Sequence, residues 1–243
     1  MKSVLITGIN GFIGKNLYKN IKEDYNVFGI SRSNKSFIVN DLANLNSANL
    51  PTSIDSIIHL AQSVNYSENN LEDLFRVNIF SIKKLLNYGL KNNIKYFLNF
   101  SSGSVYEPYS RKLVESDHII CNSPYAISKQ ASELLTNSYS KHFKTCNMRI
   151  FFPYGKNQTN RLIPRIHKKI LNNELIEISE NGSSSRLSPI FIEDLVYVVE
   201  KFLKYKWQGT YNIASPHIYS IKGIAKIVAK HLNKEIKFTL SCH

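Results

Sequence analysis

The sequence predicts an α/β protein built around a doubly wound parallel sheet. Short apolar runs of strand length recur along the chain, and amphipathic segments of helix length lie between several of them. A glycine-rich turn joins the first apolar run to the first helical segment. Strands that alternate with helices become parallel neighbours, because each helix carries the chain back across the sheet.

Each element follows from its local pattern. The runs that predict strands are VLITG (4–8), NVFGIS (26–31), FIVNDL (37–42), SIIHLA (56–61), YFLNFS (96–101) and CNMRIF (146–151). The segments that predict helices by their amphipathic spacing are 14–23, 71–91 and 124–142. We expect one domain over 1–150, to which 187–200 returns, and a smaller lobe over 151–243.

The composition is that of an ordinary soluble globular protein, at 43% hydrophobic and 20% charged residues. No run approaches the roughly 18 apolar residues of a membrane span, and MKSVLITG enters a strand without a signal-peptide flank. Cys121, Cys146 and Cys242 show no metal-ligand spacing and cannot all pair. We therefore expect a cytoplasmic protein with no metal site and no membrane partner.

The net charge of +13 raises the possibility of nucleic-acid binding. Lysines are instead spread over segments such as KNLYKNIK and KKILNNE, and no stripe of basic and aromatic residues appears. The pattern favours solvated lysine faces and predicts no nucleic-acid partner; a steep salt dependence of oligonucleotide binding would revive that alternative. A basic surface also suits anionic small molecules such as phosphorylated cofactors and nucleotide sugars.

The turn VLITGINGFIGKNL (4–17) predicts a phosphate-binding loop. Glycines permit a tight turn and a close backbone approach, and the helix that follows offers free N–H groups to a pyrophosphate. The residues expected to contact a dinucleotide here are Gly8, Asn10, Gly11, Phe12, Ile13 and Gly14.

The end of the second strand predicts which dinucleotide binds. An acidic residue there would grip the ribose hydroxyls of NAD, but the sequence has Ser31 and Arg32. A guanidinium can pair with a 2′-phosphate, so NADP(H) is favoured; if Arg32 only stacks on adenine, NAD(H) is possible. Asp41 and Leu42, after the third strand, are expected to meet the adenine amino group.

The chain resembles the extended short-chain dehydrogenase/reductases, the nucleotide-sugar epimerase/dehydratase group with a Rossmann-type fold. The resemblance covers residues 1 to about 235 and depends on TGINGFIG (7–14), DL (41–42), HLAQ (59–62), NFSSGSVYEP (99–108), PYAISK (124–129) and MRIFFPYG (148–155). It implies that Leu60, Ala61 and Gln62 line the cofactor, and that the C-terminal lobe binds the sugar nucleotide.

Tyr125 and Lys129 match the catalytic pair of that family. Tyr18/Lys22 and Tyr197/Lys201 share the spacing, but only Tyr125 follows a strand ending in serines, with Ser102 upstream. A free tyrosine has a pKa of about 10, and the charge of a lysine one helical turn away, together with that of an oxidised nicotinamide, stabilises the phenolate and lowers that pKa. The resemblance further implies that Ser102 hydrogen-bonds the reacting oxygen and that Lys129 also holds the nicotinamide ribose.

Departures from the family pattern limit which reactions of the family are expected. Sugar 4,6-dehydratases carry an Asp-Glu pair directly after the catalytic Ser or Thr, where this sequence has Gly103 and Ser104, so dehydration is disfavoured. Gly103 and Ser104 are expected near the substrate. Phe152 stands where the family usually has a substrate-binding Asn, and Arg186 resembles the arginine that meets the nucleotide pyrophosphate.

The sequence predicts NAD(P)-dependent oxidoreduction at a hydroxyl/keto carbon, C4, of a nucleotide sugar. A 4-keto reductase and a 4-epimerase remain open, and Arg32 slightly favours the reductase. The alternative is a non-catalytic NADP-binding regulatory or scaffold protein on the same fold. The resemblance implies a homodimer formed by the helix that carries Tyr125 and the segment 71–91, which would bury Leu74, Leu85 and Leu134.

Overall fold

The computed structural model describes residues 1–32, 37–64, 70–108, 111–179 and 186–241. Within those ranges no helix has both the length and the apolar character needed to cross a membrane. The described residues form two compact units.

The first unit contains Met1–Pro108, Val114–Ile150 and Glu193–Ile213, and the second is made chiefly of Phe151–Ile192 and the residues from Ala214 onward. The segment that returns to the first unit thus begins six residues later and extends further than the predicted 187–200. It supplies one helix and one edge strand, so its extent is set by where these elements pack.

The strands are β1 (Lys2–Thr7), β2 (Tyr25–Ser31), β3 (Ile38–Val39), β4 (Ser56–His59), β5 (Tyr96–Ser102), β6 (Lys144–Ile150), β7 (Pro153–Tyr154), β8 (Ile176–Ser179), β9 (Ile190–Phe191), β10 (Gly209–Ile213) and β11 (Phe238–Ser241). The helices are α1 (Phe12–Ile21), α2 (Leu71–Phe75), α3 (Ser81–Lys91), α4 (Pro124–Ser138), α5 (Leu162–Leu171), α6 (Ile192–Tyr205) and α7 (Ile221–Leu232).

The first unit is organised around a seven-stranded sheet in the order β10-β6-β5-β4-β1-β2-β3. All neighbouring strands are parallel, and the order runs outward from β1 in both directions, which confirms the doubly wound α/β prediction. Every residue of β4 is buried, as expected for a parallel strand covered on both faces.

The third predicted strand is much shorter than the run 37–42 suggested. Only Ile38–Val39 pairs with β2. Asp41 then caps a 3₁₀ turn over Leu42–Asn44 by accepting a hydrogen bond from the Ala43 amide, which bends the chain away from the sheet.

The segment 71–91 is helical, with a π-helical turn at Arg76–Phe80 between α2 and α3. Leu74 and Leu85 on this segment are fully buried in the chain's own core. They therefore cannot be the apolar residues that a dimer would cover, and that part of the dimer prediction is wrong. The helical period identified the segment, but not which of its leucines face the sheet.

The second unit has its own apolar core. Strands β8 and β11 form one parallel pair, and β7 and β9 form another. Helices α5 and α7 pack together, and the buried residues of this core are Ile166, Ile170, Ile176, Leu187, Ile224, Ala225 and Ala229.

Candidate active site

The glycine turn after β1 is shaped by close backbone contacts. Gly8 has a φ of +71°, and a Cβ atom added there would lie 2.8 Å from the Ala61 nitrogen. A Cβ atom on Gly14 would lie 2.3 Å from the Gly8 carbonyl oxygen. Gly11, at the N-cap of α1, brings no side chain over the first turn of the helix. The turn therefore leaves backbone N–H groups accessible in the way that binding of a pyrophosphate requires.

The residues predicted to meet the adenosine end lie along β2 and just past β3. Asn10 Nδ2 donates a 2.6 Å hydrogen bond to Ser31 Oγ, so the glycine turn is tied to the end of β2. Arg32 and Asp41 are exposed, whereas the side chain of Leu42 belongs to the core. Any contact of Leu42 with a cofactor would therefore involve its backbone.

His59, the last residue of β4, has a structural environment. Its Nδ1 lies 2.8 Å from Thr7 Oγ1, and the Ala61 amide donates to the same Thr7 oxygen at 3.2 Å. Burial, and secondarily the charge of Lys129, lower the pKa of His59 to about 3. The imidazole is thus neutral and joins β1 to β4.

Tyr125 and Lys129 lie on the first two turns of α4. Ser123 caps this helix by accepting a 3.2 Å hydrogen bond from the Ala126 amide, and Pro124 occupies the first turn. Lys129 is only 2% exposed, and its ammonium donates to the Phe100 carbonyl of β5. Burial lowers the pKa of Lys129 to about 8, while the Glu133 carboxylate acts in the opposite direction.

Residues 61 and 62 connect the glycine turn with the predicted catalytic pair. The backbone of Ala61 lies against Gly8, and the next side chain, Gln62, accepts a 2.8 Å hydrogen bond from the Tyr125 hydroxyl. The predicted pyrophosphate site and the predicted acid/base are therefore parts of one continuous surface at the carboxyl edge of the sheet. The resemblance placed Gln62 beside the cofactor, but it did not indicate a bond to the tyrosine.

Ser102 ends β5 and begins a 3₁₀ helix over Gly103–Tyr106. Its Oγ accepts a 3.2 Å hydrogen bond from the Ser104 amide. Ser104 Oγ is itself buried and has no hydrogen-bond partner among the described residues. A buried hydroxyl without a partner is costly, so this atom is a candidate to bond a bound ligand.

Asn78 is a residue of this site that the sequence did not single out. It lies in the π-helical turn, accepts from the Ser63 amide at 2.8 Å and donates to Ser128 Oγ at 2.9 Å. Ser128 in turn donates to the carbonyl of Tyr125 at 2.7 Å. Asn78 therefore anchors the chain after β4 to the start of α4. An amide residue within an otherwise apolar helix face was the sequence signal that could have identified it.

Phe152 and Arg186 belong to the second unit. Phe152 has a φ of +40° and packs against the apolar core of that unit, and Arg186 is exposed. Their predicted contacts with a substrate stay predictions, as do the assigned roles of Ser102, Tyr125 and Lys129.

The chain is similar to known proteins in sequence and in fold. The model of a family described as "NAD dependent epimerase/dehydratase family" matches residues 4–214. A trifunctional UDP-glucose 4,6-dehydratase/UDP-4-keto-6-deoxy-D-glucose 3,5-epimerase/UDP-4-keto-L-rhamnose-reductase of Arabidopsis thaliana is 26% identical over 96% of this chain. The chain spans only 40% of the length of that relative.

Two further relatives match more of their own length. A GDP-6-deoxy-D-talose 4-dehydrogenase of Aggregatibacter actinomycetemcomitans is 27% identical, over 93% of this chain and 79% of its own. The crystal structure of a UDP-glucuronic acid 4-epimerase from Bacillus cereus in complex with NAD superposes with a TM-score of 0.89 at 24% identity. That superposition covers 98% of this chain and 85% of the epimerase, and it shows a shared fold.

Proposed function

Because the chain belongs to the NAD-dependent epimerase/dehydratase family, we propose that it is a 4-epimerase of a nucleotide sugar. The observation that carries the proposal is the position of Tyr125 one helical turn before the buried Lys129, on the surface that also contains the glycine turn. The UDP-glucuronic acid 4-epimerase that shares the fold supports a UDP-sugar as the substrate.

The residues of the first unit fit a nicotinamide dinucleotide. Gly8 and Gly14 let the turn close tightly against Ala61 and against its own backbone, where a side chain would clash, and the first turn of α1 presents N–H groups beside the turn. When bound, such a dinucleotide would supply the acceptor and the donor for hydride transfer at the sugar carbon. Ser31 and Arg32 would hold its adenosine end, and Lys129 would hold its nicotinamide ribose.

The proton chemistry belongs to Tyr125, Lys129 and Ser102. The Tyr125 oxygen accepts the proton of the sugar hydroxyl as the carbon is oxidised, and returns it when the carbon is reduced. The positive charge of Lys129 stabilises the phenolate form of Tyr125. Ser102 donates a hydrogen bond to the reacting oxygen, which keeps that oxygen close to the phenol.

The groups beside Ser102 disfavour dehydration, although dehydratases occur among the relatives. Elimination of water needs an acid and a base, and Gly103 and Ser104 provide no carboxylate.

A 4-keto reductase is the second candidate, and two observations favour it. The Aggregatibacter relative is a 4-dehydrogenase of a nucleotide sugar. The exposed guanidinium of Arg32 at the end of β2 suits the 2′-phosphate of NADP. A reductase would use the same residues in one direction only, with Tyr125 donating its proton to the keto oxygen.

The test is a product assay with UDP-glucose, UDP-glucuronic acid and UDP-N-acetylglucosamine, each with catalytic NAD or NADP. Epimerisation predicts the C4 epimer by NMR with no net change in reduced nicotinamide. Reduction predicts stoichiometric consumption of NADPH with a 4-keto sugar. Reduction without epimerisation would favour the second candidate over the first, and absence of both activities, with Tyr125→Phe as the inactive reference, would contradict both.

Arg32 also allows a prediction about cofactor preference. We propose that NADPH binds more tightly than NADH, and that Arg32→Ala removes most of the difference, about 1–3 kcal/mol for a charge-assisted hydrogen bond. Isothermal titration of both cofactors measures this, with Lys22→Ala on the exposed end of α1 as the control. Equal affinities of the unmodified protein for the two cofactors would contradict it.

A further inference from the structure

A buried ion pair lies one helical turn beyond Lys129. Glu133 on α4 and Arg149 on β6 have side chains that are 3% and 5% exposed. Arg149 Nη2 and Nε donate to the two carboxylate oxygens of Glu133 at 2.7 and 2.9 Å. Burying two charges is costly even when they are paired, so the pair is poorly explained by stability alone.

The same carboxylate contacts the end of β5. The Ser101 hydroxyl donates to Glu133 Oε1, and the ammonium of Lys129 donates to the carbonyl of the preceding residue, Phe100. Two successive residues of β5, directly before Ser102, are thus bonded to two residues of α4 that lie one turn apart. Tyr125 lies one turn before Lys129 on the same helix, so these bonds set its distance from Ser102.

Arg149 extends this arrangement to the other side of Ser102. Its Nη1 donates to the hydroxyl of Tyr106, and the guanidinium carbon lies 4.8 Å from the centre of the Tyr106 ring. Tyr106 ends the 3₁₀ helix that Ser102 begins, and its hydroxyl donates to Asn212 Oδ1 at 3.1 Å. The ion pair therefore contacts the chain both directly before and shortly after Ser102.

The charges around Lys129 give Glu133 an electrostatic role as well. His59, facing Lys129 from β4, is neutral because burial holds its pKa at about 3. Cys121 faces the pair from the loop before α4, and burial and the Glu133 charge raise the pKa of its thiol, which stays protonated. Arg149 is positive, and Tyr106 donates and accepts hydrogen bonds as a phenol. Glu133 thus supplies the negative charge beside the Lys129 ammonium.

We infer that Glu133 is a positioning residue for the Tyr125–Lys129 pair: its carboxylate fixes α4 against the end of β5 and keeps the buried ammonium charged. Its kinetic consequence rests on the proposed function, but its effect on Lys129 does not.

The first test is a direct titration of Lys129. Lysine side chains labelled with carbon-13 at Cε report the ionisation of each ammonium by NMR, and Lys129→Met assigns the signal. Glu133→Gln should move the midpoint of Lys129 to lower pH by about one unit or more, since it removes a favourable charge and leaves Arg149 uncompensated. The control is Thr136→Ala, a fully buried position three residues further along α4 that carries no charge. The titration midpoint of Lys129 in this variant should equal that of the unmodified protein.

The second test is the pH profile of turnover with whichever sugar is a substrate. Glu133→Gln should lower kcat by about tenfold or more and move the alkaline decline of kcat to lower pH, with KM changing less than about threefold. Glu133→Asp retains the charge and should restore the position of the alkaline decline. Thr136→Ala should lower thermal stability and leave the profile unchanged.

An unpaired Arg149 could prevent Glu133→Gln from folding, and the double variant Glu133→Gln/Arg149→Met removes that charge. Its Lys129 midpoint should still lie below that of the unmodified protein. A midpoint that stays in place in the folded variants would overturn the inference, whatever the enzyme does. A shifted midpoint with no turnover of any sugar would instead overturn the proposed function and leave the inference standing.

Discussion

A single oxygen atom separates tyrosine from phenylalanine, and at position 125 that atom donates to Gln62 at the predicted cofactor surface. Tyr125→Phe should retain the ring packing and the fold while removing the exchangeable proton. Turnover should fall by about 10² to 10⁴, as for the loss of a general acid/base, and substrate affinity should change little. Steady-state kinetics on the substrate found by the product assay measure both quantities.

Two other tyrosines have the same spacing to a lysine and provide matched controls. The Tyr18 ring packs edge-on against Phe37 at 5.4 Å, and Tyr197 is 58% exposed on α6 with Lys201 over its ring. Tyr18→Phe and Tyr197→Phe should therefore keep nearly full turnover. A comparable loss in either control, or a nearly active Tyr125→Phe, would show that the pair has been assigned wrongly.

The buried ammonium of Lys129 should cost folding stability. Burial lowers its pKa from 10.5 to about 8, so below pH 8 the folded protein holds a charge that water would solvate better. Between these two values the unfolded chain binds the extra proton, and this contribution to stability rises with pH. Its full size is at most roughly 3 to 4 kcal/mol, by the conversion of about 1.4 kcal/mol per pKa unit.

Lys129→Met removes this contribution. The free energy of unfolding of the variant minus that of the unmodified protein should be largest below pH 8 and decrease as the pH rises toward 10.5. Because the lost bond to the Phe100 carbonyl affects all pH values alike, the slope is the measurement, by urea denaturation at several pH values. A pH-independent difference would contradict the prediction.

At the scale of single residues, the sequence predicted the pair Tyr125 and Lys129 but not the residues that the pair contacts. Tyr125 and Lys129 are close in sequence, so helical spacing alone brings them together. The contacts of Lys129 with Phe100 and of Tyr125 with Gln62 join residues far apart in the chain. Such contacts follow from strand order, which no local pattern encodes.

Among the elements, the glycine turn and α1 together form the predicted phosphate-binding site. Gly14→Ala would place a Cβ atom 2.3 Å from the Gly8 carbonyl and 2.7 Å from Ile9 Cα, both backbone atoms that cannot move without opening the turn. Cofactor affinity should fall by tenfold or more, about 1.4 kcal/mol or above. Fluorescence titration with NADH or NADPH measures it.

Gly223→Ala in α7 is the control for this change. There the added Cβ would meet only the Ser220 hydroxyl, at 3.3 Å, and alanine favours a helix. Its cofactor affinity should match that of the unmodified protein. If Gly14→Ala bound the cofactor equally well, the turn would have no part in binding.

The elements also show where sequence patterns are limited. Apolar runs located the six strands from β1 to β6, since buried parallel strands read as continuous apolar segments. The π-helical turn at Arg76–Phe80 was not predicted, because it depends on the buried contacts of Asn78 rather than on a period. No apolar run predicted the edge strand β10, because its sequence GTYNI is polar and its residues are only partly buried.

For the molecule as a whole, we propose a homodimer through α4 and the adjacent π-helical turn. With Leu74 and Leu85 buried in the core, the exposed apolar residues on these elements are Phe80 (56%), Ile127 (49%) and Leu134 (61%). Ile127 and Leu134 are seven residues apart and share one face of α4, as an isologous helix pair requires.

Leu134→Glu should convert such a dimer to a monomer, because a like-charged carboxylate from each copy would enter the interface. Light scattering at micromolar concentration measures the mass, and Ile227→Glu, an exposed apolar position on α7, is the control. A monomeric unmodified protein would contradict the proposal, and so would an unaffected dimer in Leu134→Glu.

The strand at the sheet's edge has a consequence for folding. β10 pairs with β6, although Ile150 and Gly209 are separated by the entire second-unit segment Phe151–Ile192 and by α6. During synthesis some sixty further residues must therefore be added after β6 before its partner strand emerges from the ribosome. At common elongation rates this takes roughly 3 to 12 s. Until then β6 presents unpaired backbone groups of the kind that recruit other chains. A nascent chain halted before Gly209 should thus depend on chaperones to stay free of aggregates. This should hold even though both residues of the predicted catalytic pair have already been synthesised.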